Sequence, residues 1–333
     1  MHRVEVLIVE GEVLAINFAL LGTGRIADTA LSEALKSANG ATLWSVFSRD
    51  EERAHSFAER HGAQAPVNAY SDLDRLLQDP ELNAVVIATP DKLHVEQAIA
   101  AAAAGKHVLT EKPMATTVED CQVMVDACAA AGVRLGVAYH MRWHNGHRQI
   151  ADMARAGEFG QLRHIRVQWS WPAPDDTNWR AGADVGRWWS LAGVGTHCLD
   201  LIRWMLKPTA GEVAEMTSVI SRQQFGGPHD ETAILAFRFE NGATAELCSS
   251  VLFGAPTRVE VYGTKGWARF EDTLGPHGAG RIETQRGPLA FEVGNPYQGE
   301  IEDFVAAIRE NRPPEVDGEE GMRNVELMSR AVE

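Results

Sequence analysis

Lys112, in the run Glu111-Lys112-Pro113, and His197, in Gly195-Thr196-His197-Cys198-Leu199-Asp200, are the two side chains best suited to proton chemistry. The lysine follows an apolar run, His107–Thr110, that reads as a strand, and Pro113 keeps Lys112 out of helical geometry. Lys112 is therefore expected at the rim of a sheet, where an ammonium stabilises an oxygen that is losing its proton. His197 opens a helix whose apolar stripe is Cys198, Leu201, Ile202, Met205 and Leu206. His197 and Asp200 fall off that stripe, on a shared neighbouring face. A helix N-terminus disfavours an imidazolium, so a neutral His197 able to accept a proton is expected. The alternative is a core histidine paired with Asp200.

A second chemistry is written earlier in the chain. Gly22-Thr23-Gly24-Arg25-Ile26-Ala27 follows an apolar strand and opens a helix, the arrangement that lets a dinucleotide pyrophosphate approach backbone amides at a helix N-terminus. A purely structural glycine turn is the alternative. The second strand ends in Phe47-Ser48-Arg49, without the acidic residue that holds a ribose 2′-hydroxyl. Ser48 can donate a hydrogen bond and Arg49 a planar cation to a 2′-phosphate, which favours NADP, with NAD the alternative. If Arg49 is instead a solvated loop residue, that preference falls. Asp50 fits a helix N-cap, with Glu51 and Glu52 in the first turn. Thr89-Pro90-Asp91-Lys92-Leu93-His94 follows a further strand, so it and Glu111-Lys112 are expected at strand carboxyl ends, where open α/β sheets bind ligands.

These groups need a scaffold, and the pattern supplies one. Apolar runs at Ile16–Leu21, Leu43–Phe47, Ala84–Ala88, His107–Thr110 and Arg134–Ala138 alternate with helical stretches. Gly40, Gly62, Gly105 and Gly132 sit where each helix stops. This predicts a doubly wound parallel sheet over residues 1–140, in which residues 1–14 are an extra edge strand or a leader. Over 141–333 a helix at Gly146–Ala156 precedes strand-like runs at Leu162–Trp171, Val213–Ser221, Thr232–Phe239, Thr244–Leu252 and Arg258–Tyr262. Hairpin turns at Glu240-Asn241-Gly242 and Gly263-Thr264-Lys265-Gly266 make this an α+β domain with an open, largely antiparallel sheet, closed by a helix at Gly299–Glu310.

At 333 residues the chain has room for two such domains. Its net charge of −15 repels phosphate backbones and anionic membrane surfaces, so nucleic acid and membrane are not expected partners. No apolar run reaches the roughly 18 residues of a membrane span, and no export signal is read at the start. The four cysteines, Cys121, Cys128, Cys198 and Cys248, form neither a disulfide framework nor a metal spacing, which fits a reducing cytoplasm and no metal. Five tryptophans, Trp169, Trp171, Trp179, Trp188 and Trp189, fall within 21 residues, as a ring-binding wall or as core and interface packing.

Together these residues resemble the glucose-fructose oxidoreductase, inositol dehydrogenase and rhizopine-catabolism family, Gfo/Idh/MocA. The likeness runs from Phe18–Ala27 through Ala88-Thr89-Pro90 with His94, Glu111-Lys112-Pro113, Tyr139-His140-Met141-Arg142, Trp179-Arg180 and Gly195–Asp200 to Tyr297–Phe304. The resemblance implies that Lys112 lies beside the nicotinamide and the substrate hydroxyl, that His197 is the acid or base, and that Asp200 helps hold the substrate. It extends the substrate set to Tyr139, His140, Arg142, His144 and Trp179. The cofactor set becomes Gly22, Thr23, Gly24, Arg25, Ile26, Ser48, Arg49, Thr89, Pro90, His94, Glu111, Lys112 and Arg180. A homodimer or homotetramer through the second domain's sheet is also implied. In one place the chain departs from the pattern D-x-G-x-H: Gly193 stands where the aspartate would, leaving Asp184 or Asp200 to serve or a simpler relay. The expected reaction is NADP-linked oxidation or reduction of a sugar, anhydrosugar or cyclic polyol. A glycosidase using transient oxidation and a non-enzymatic cofactor-sensing protein are the alternatives.

Overall fold

The computed structural model describes residues 15–182 and 188–333; the expected leader or strand at 1–14 and the carboxylate of Asp184 lie outside them. The described chain forms two compact units. One takes the residues up to Met114, Glu119–Ala138 and Tyr297–Gly321, and the other Ala115–Val118, Tyr139–Pro296 and Met322–Glu333.

The first unit carries strands β1 (Ile16–Leu21), β2 (Ala41–Phe47), β3 (Ala69–Tyr70), β4 (Ala84–Ile87), β5 (His107–Glu111) and β6 (Leu135–Ala138), paired in parallel in the order β3-β2-β1-β4-β5-β6. Helices α1 (Ser32–Ser37), α2 (Glu51–His61), α3 (Leu73–Leu77), α4 (His94–Ala103) and α5 (Val118–Ala131) cross between them. β4 and β6 are apolar throughout because crossover helices cover both faces of a parallel sheet. α2 stops at Gly62, whose φ of +69° is the left-handed conformation that lets the chain turn back. Strand order reverses at β1, so the loops after β1 and β4 leave in opposite directions and open a crevice at the carboxyl edge.

In the second unit α6 (Asn145–Arg155) precedes β7 (Leu162–Ser170) and α7 (Thr196–Ala210). Strands β8 (Val213–Ser221), β9 (Thr232–Phe239), β10 (Thr244–Ser250), β11 (Arg258–Gly263), β12 (Trp267–Glu271), β13 (Arg281–Thr284) and β14 (Gly287–Leu289) follow. The eight-stranded sheet runs β14-β13-β12-β11-β7-β10-β9-β8. Only β7 with β10 is parallel; the other pairs are antiparallel, and both expected hairpins form. α7 packs on this sheet, while β8 and β9 carry Val219 and Ile234 exposed on an outer face.

Two helices end the chain, α8 (Pro296–Arg309) and α9 (Gly318–Ala331). Residues 297–321, expected with the second domain, belong to the first. The reason is burial: Tyr297, Ile301, Phe304 and Val305 complete the core that Phe18, Leu20, Val86 and Leu109 begin. α9 was not legible because Gly318-Glu319-Glu320-Gly321 reads as a turn, yet Val325, Leu327 and Met328 bury a face. Among the described residues no helix is long and apolar enough to cross a membrane.

Candidate active site

The first unit gathers one set of the expected residues at the carboxyl edge of its sheet. Gly22 has a φ of +106°, and a Cβ there would lie 2.6 Å from the Ala88 carbonyl oxygen, so only glycine lets β1 turn this close to the end of β4. Gly24 is the reverse case: among the described residues a Cβ would meet nothing within 4 Å, leaving open space over the backbone. The helix closes with the Asp28 amide on the Gly24 carbonyl at 3.0 Å, so the amides before it have no intrahelical acceptor and suit an anion. Arg25 is exposed and Ile26 half-buried at this opening. These features fit a dinucleotide pyrophosphate.

At the end of β2 the Asp50 carboxylate accepts the Arg53 amide at 3.0 Å, so it caps α2 as its position implied. Ser48 Oγ accepts the Asp50 amide at 3.3 Å, and Arg49 is exposed. Arg53 brings a second guanidinium to this edge, where Nη2 donates to the Thr23 carbonyl at 3.3 Å. Sequence reasoning missed it; the signal was its place one helical turn after Arg49.

Thr89 Oγ1 donates to Gln97 Oε1 at 2.7 Å. His94, expected to touch the cofactor, is wholly buried, which lowers its pKa against the pull of Asp91 and nearby carbonyls. Its Nδ1 lies 3.2 Å from the Pro113 carbonyl and 3.3 Å from that of Met114, while Nε2 lies 3.0 Å from the Thr89 carbonyl. His94 thus ties the loop after β4 to the segment after Lys112, a bracing position rather than a ligand-facing one. The Glu111 carboxylate accepts the Lys112 amide at 3.2 Å, and Lys112 is half-buried ahead of a cis bond to Pro113.

The second unit gathers the rest. α7 is continuous with a wide π-helical turn over Leu191–Gly195, so helical geometry begins about two turns before His197. The buried Asp230 carboxylate caps that earlier start, accepting the Trp189 and Leu191 amides at 2.8 Å each and the Ser190 hydroxyl. Burial pushes this carboxyl up to about 6 against those hydrogen bonds. His197 is consequently not a first-turn residue, and the helix charge invoked to keep it neutral fades before reaching it. What surrounds it is aromatic: the ring centroids of His140, Trp169 and Tyr139 lie 4.9, 5.5 and 6.0 Å away. Trp169, which could have been an interface residue, is a wall of this cluster.

Arg142 and Asp200, both expected at the substrate, are bound to each other. Asp200 is 1% exposed and accepts from Arg142 Nε at 2.9 Å, Arg142 Nη2 at 2.6 Å and Asn324 Nδ2 at 3.1 Å. Asn324 in turn accepts from the fully buried Arg203, whose guanidinium also reaches Glu212 at 3.0 Å. Burial would raise the Glu212 carboxyl, but Arg203 and Lys207 outweigh it and hold it at about 2. Tyr139, placed in the substrate set by the resemblance, has a buried hydroxyl 2.6 Å from Thr196 Oγ1, and burial pushes its pKa far up. The chain of polar groups holds α7, whose His197 sits in the ring cluster with His140, Tyr139 and Trp169.

His144 is likewise structural. Its Nδ1 accepts the Gly146 amide at 3.1 Å as the cap of α6, and Nε2 donates to the Ala279 carbonyl at 3.0 Å. It stacks on His147 at 4.2 Å, itself held by Met141 and Thr273. Trp179 is 39% exposed, with the Arg180 guanidinium 4.1 Å above its ring. Trp188 and Trp189 are core residues, and Trp188 donates to the Met328 carbonyl at 3.1 Å. Asn324 and Asp230 had no sequence signal, because their partners lie 124 and about 40 residues away.

Comparison with known proteins is consistent along the chain. The oxidoreductase family with an NAD-binding Rossmann fold, GFO_IDH_MocA, matches residues 16–139, and the GFO/IDH/MocA C-terminal domain matches 147–269. A 1,5-anhydro-D-fructose reductase of Ensifer adhaerens is 30% identical over 312 residues, 92% of each chain. A myo-inositol 2-dehydrogenase of Thermotoga maritima is 27% identical over 317 residues, again 92% of each chain. Among solved structures, the aldose-aldose oxidoreductase of Caulobacter crescentus complexed with glycerol superposes with a TM-score of 0.88 at 25% identity, covering 95% of this chain and 96% of that one.

Proposed function

Since the chain belongs to the Gfo/Idh/MocA oxidoreductase family and is an NAD(P)-dependent dehydrogenase, we propose that it prefers NADP and acts on a secondary alcohol or carbonyl of a sugar, anhydrosugar or cyclic polyol. The observation that carries the cofactor preference is the end of β2: Asp50 is committed to capping α2, and Arg49 and Arg53 are the cations there. Two guanidiniums suit a 2′-phosphate. When bound, the nicotinamide supplies or accepts the hydride. Gly22, Thr23, Gly24, Arg25 and Ile26 hold the pyrophosphate, and Thr89, Pro90 and Glu111 line the same sheet edge.

The residues of this chain manage the proton. An alcohol losing hydride must also lose its hydroxyl proton, and His197 accepts it, lodged among Tyr139, His140 and Trp169. Lys112 stabilises the developing alkoxide through its charge. His140 and the exposed Trp179 with Arg180 contact the ligands, whereas Asp200, Arg142, Tyr139 and His144 hold the scaffold. The exposed face around Val219 and Ile234 supports a homodimer or homotetramer through this sheet, and the absence of paired cysteines supports a cytoplasmic setting.

The test is single-turnover hydride transfer with NADP and NAD against a panel of sugars, anhydrosugars and cyclic polyols. Wild type turns over at least one member, and Lys112→Ala or His197→Ala lowers that rate by about 10² to 10⁴ with cofactor affinity kept. Near wild-type transfer by both variants refutes the assignment.

A further inference from the structure

Three consecutive residues just before β9, His229, Asp230 and Glu231, are each no more than 2% exposed, and each holds a different segment of the second unit. The Glu231 carboxylate accepts the Gln224 and Phe225 amides at 2.7 and 2.6 Å. Asp230 takes the Trp189 and Leu191 amides at the start of the turn that leads into α7. His229 Nε2 lies 2.7 Å from the Gly182 carbonyl oxygen, and because a carbonyl can only accept, that nitrogen carries the hydrogen. Successive Cα atoms are about 3.8 Å apart, so the three segments are fastened to one short base.

The segment that His229 holds is the turn of Trp179 and Arg180. It closes on itself: the Asn178 side-chain oxygen accepts the Arg180 amide at 3.0 Å, the Ala181 amide donates to the Asn178 carbonyl at 2.8 Å, and the Gly182 amide donates to the Trp179 carbonyl at 3.2 Å. Gly182 is thus bonded to Trp179 through its N–H and to His229 through its C=O. The exposed Trp179 ring and the Arg180 guanidinium above it belong to a turn whose end is fixed by that imidazole. The other ring nitrogen shows why a histidine stands here. Among the described residues, His229 Nδ1 is buried without a hydrogen-bond partner. Burying an unsatisfied polar atom costs free energy, so an apolar side chain would serve packing better than a ring that uses one nitrogen of two. The Gly182 contact is what the imidazole adds.

We propose that His229 is a positioning residue for ligand capture: it holds the Trp179–Arg180 turn at a fixed offset from the Asp230-capped start of α7, the helix that carries His197. It acts through Gly182 and takes no part in proton or hydride transfer. The proposal rests on the reading above that Trp179 and Arg180 contact the ligands, and deepens it by naming what places them.

The experiment uses the full chain labelled with fluorotryptophan, the Trp179 fluorine resonance being identified by its absence from Trp179→Phe. The probes are NADPH, and 1,5-anhydro-D-fructose, levoglucosan, myo-inositol and D-xylose added to the cofactor-loaded protein. His229→Leu removes the donor, His229→Asn carries an amide too short to reach Gly182, and His229→Gln carries its amide nitrogen about as far as imidazole Nε2. In wild type at least one probe shifts the Trp179 resonance. That probe binds His229→Leu and His229→Asn about fivefold more weakly by calorimetry, the worth of one neutral hydrogen bond, and His229→Gln within about twofold of wild type. In the free protein the Trp179 resonance moves or broadens in His229→Leu and His229→Asn and is restored in His229→Gln. Where a probe turns over, KM follows the same order while single-turnover hydride transfer at saturation stays within about twofold. His229→Asn and His229→Gln differ by one methylene and carry the comparison should His229→Leu fail to fold. A Trp179 resonance unmoved in His229→Leu and His229→Asn, or His229→Gln no better than His229→Asn, overturns the tether. No shift of Trp179 by any probe in wild type, or affinities within about twofold across all three variants, overturns the positioning role. Hydride transfer surviving in Lys112→Ala and His197→Ala instead sinks the catalytic reading and leaves the Trp179 signal as it was.

Discussion

Removing the carboxylate of Asp200 distinguishes a scaffold residue from a substrate ligand. In the structure it accepts three hydrogen bonds, two from Arg142 and one from Asn324, and neither member of the ion pair is more than 3% exposed. Asp200→Ala strips the acceptors from a guanidinium that stays buried. Leaving one partner of such a pair uncompensated costs about 3–5 kcal/mol. For a folding unit of this size class each kcal/mol moves Tm by roughly 2–4 °C, so a loss of about 6–20 °C is expected. Arg142→Met leaves the opposite charge stranded and destabilises by a similar amount. The double variant Arg142→Met/Asp200→Leu removes both charges and is expected well above the sum of the single losses, with a coupling of about 1–3 kcal/mol. Scanning calorimetry or thermal melts monitored by circular dichroism read all three. If Asp200→Ala melts within about 2 °C of wild type while substrate KM rises steeply, the carboxylate serves the ligand and the scaffold argument fails.

Three further outcomes follow from other parts of the molecule. Arg49→Ala and Arg53→Ala should each weaken NADPH binding by about tenfold to a hundredfold, the worth of a charge-assisted hydrogen bond, and barely change NADH; equal or tighter binding of NAD by wild type, measured by calorimetry, refutes the preference. Asp230→Ala unhooks two amides and a hydroxyl at the start of the α7 turn and should cost about 1–3 kcal/mol, so an unchanged Tm would show that the cap is not needed. Burial lowers the pKa of His94, His144 and His147, and burial with Arg134 brings His107 to about 4. The unfolded chain therefore binds more protons than the folded one below the ordinary histidine value of about 6.5. Their contribution is complete above that pH and is lost as pH falls toward 4, offset in part by Asp230, which titrates near 6 in the opposite sense. Tm should decline steadily from pH 7 to 4.5, and a flat profile between 7 and 5 contradicts this assignment.

Local patterns in the sequence determined the elements and the loops that carry chemistry. Gly22 and Gly24 between a strand and a helix, Asp50 before Glu51 and Glu52, and Pro113 after Lys112 are short-range signals, because turns, caps and proline constraints act within a few residues. The alternation of apolar runs and helices likewise identified the wound sheet and its order-reversing crevice, and Asn241-Gly242 the hairpin that joins β9 to β10. Tertiary structure decided which polar residues were committed to one another. Asp200, Arg142, His144 and Tyr139 have the right chemistry to meet a substrate, but Asn324, Ala279 and Thr196 engage them from distant parts of the chain. A buried polar group must be paired, and its partner is chosen by packing, not by spacing along the chain. The same holds for α8, whose apolar face completed the first core from near the far end of the chain.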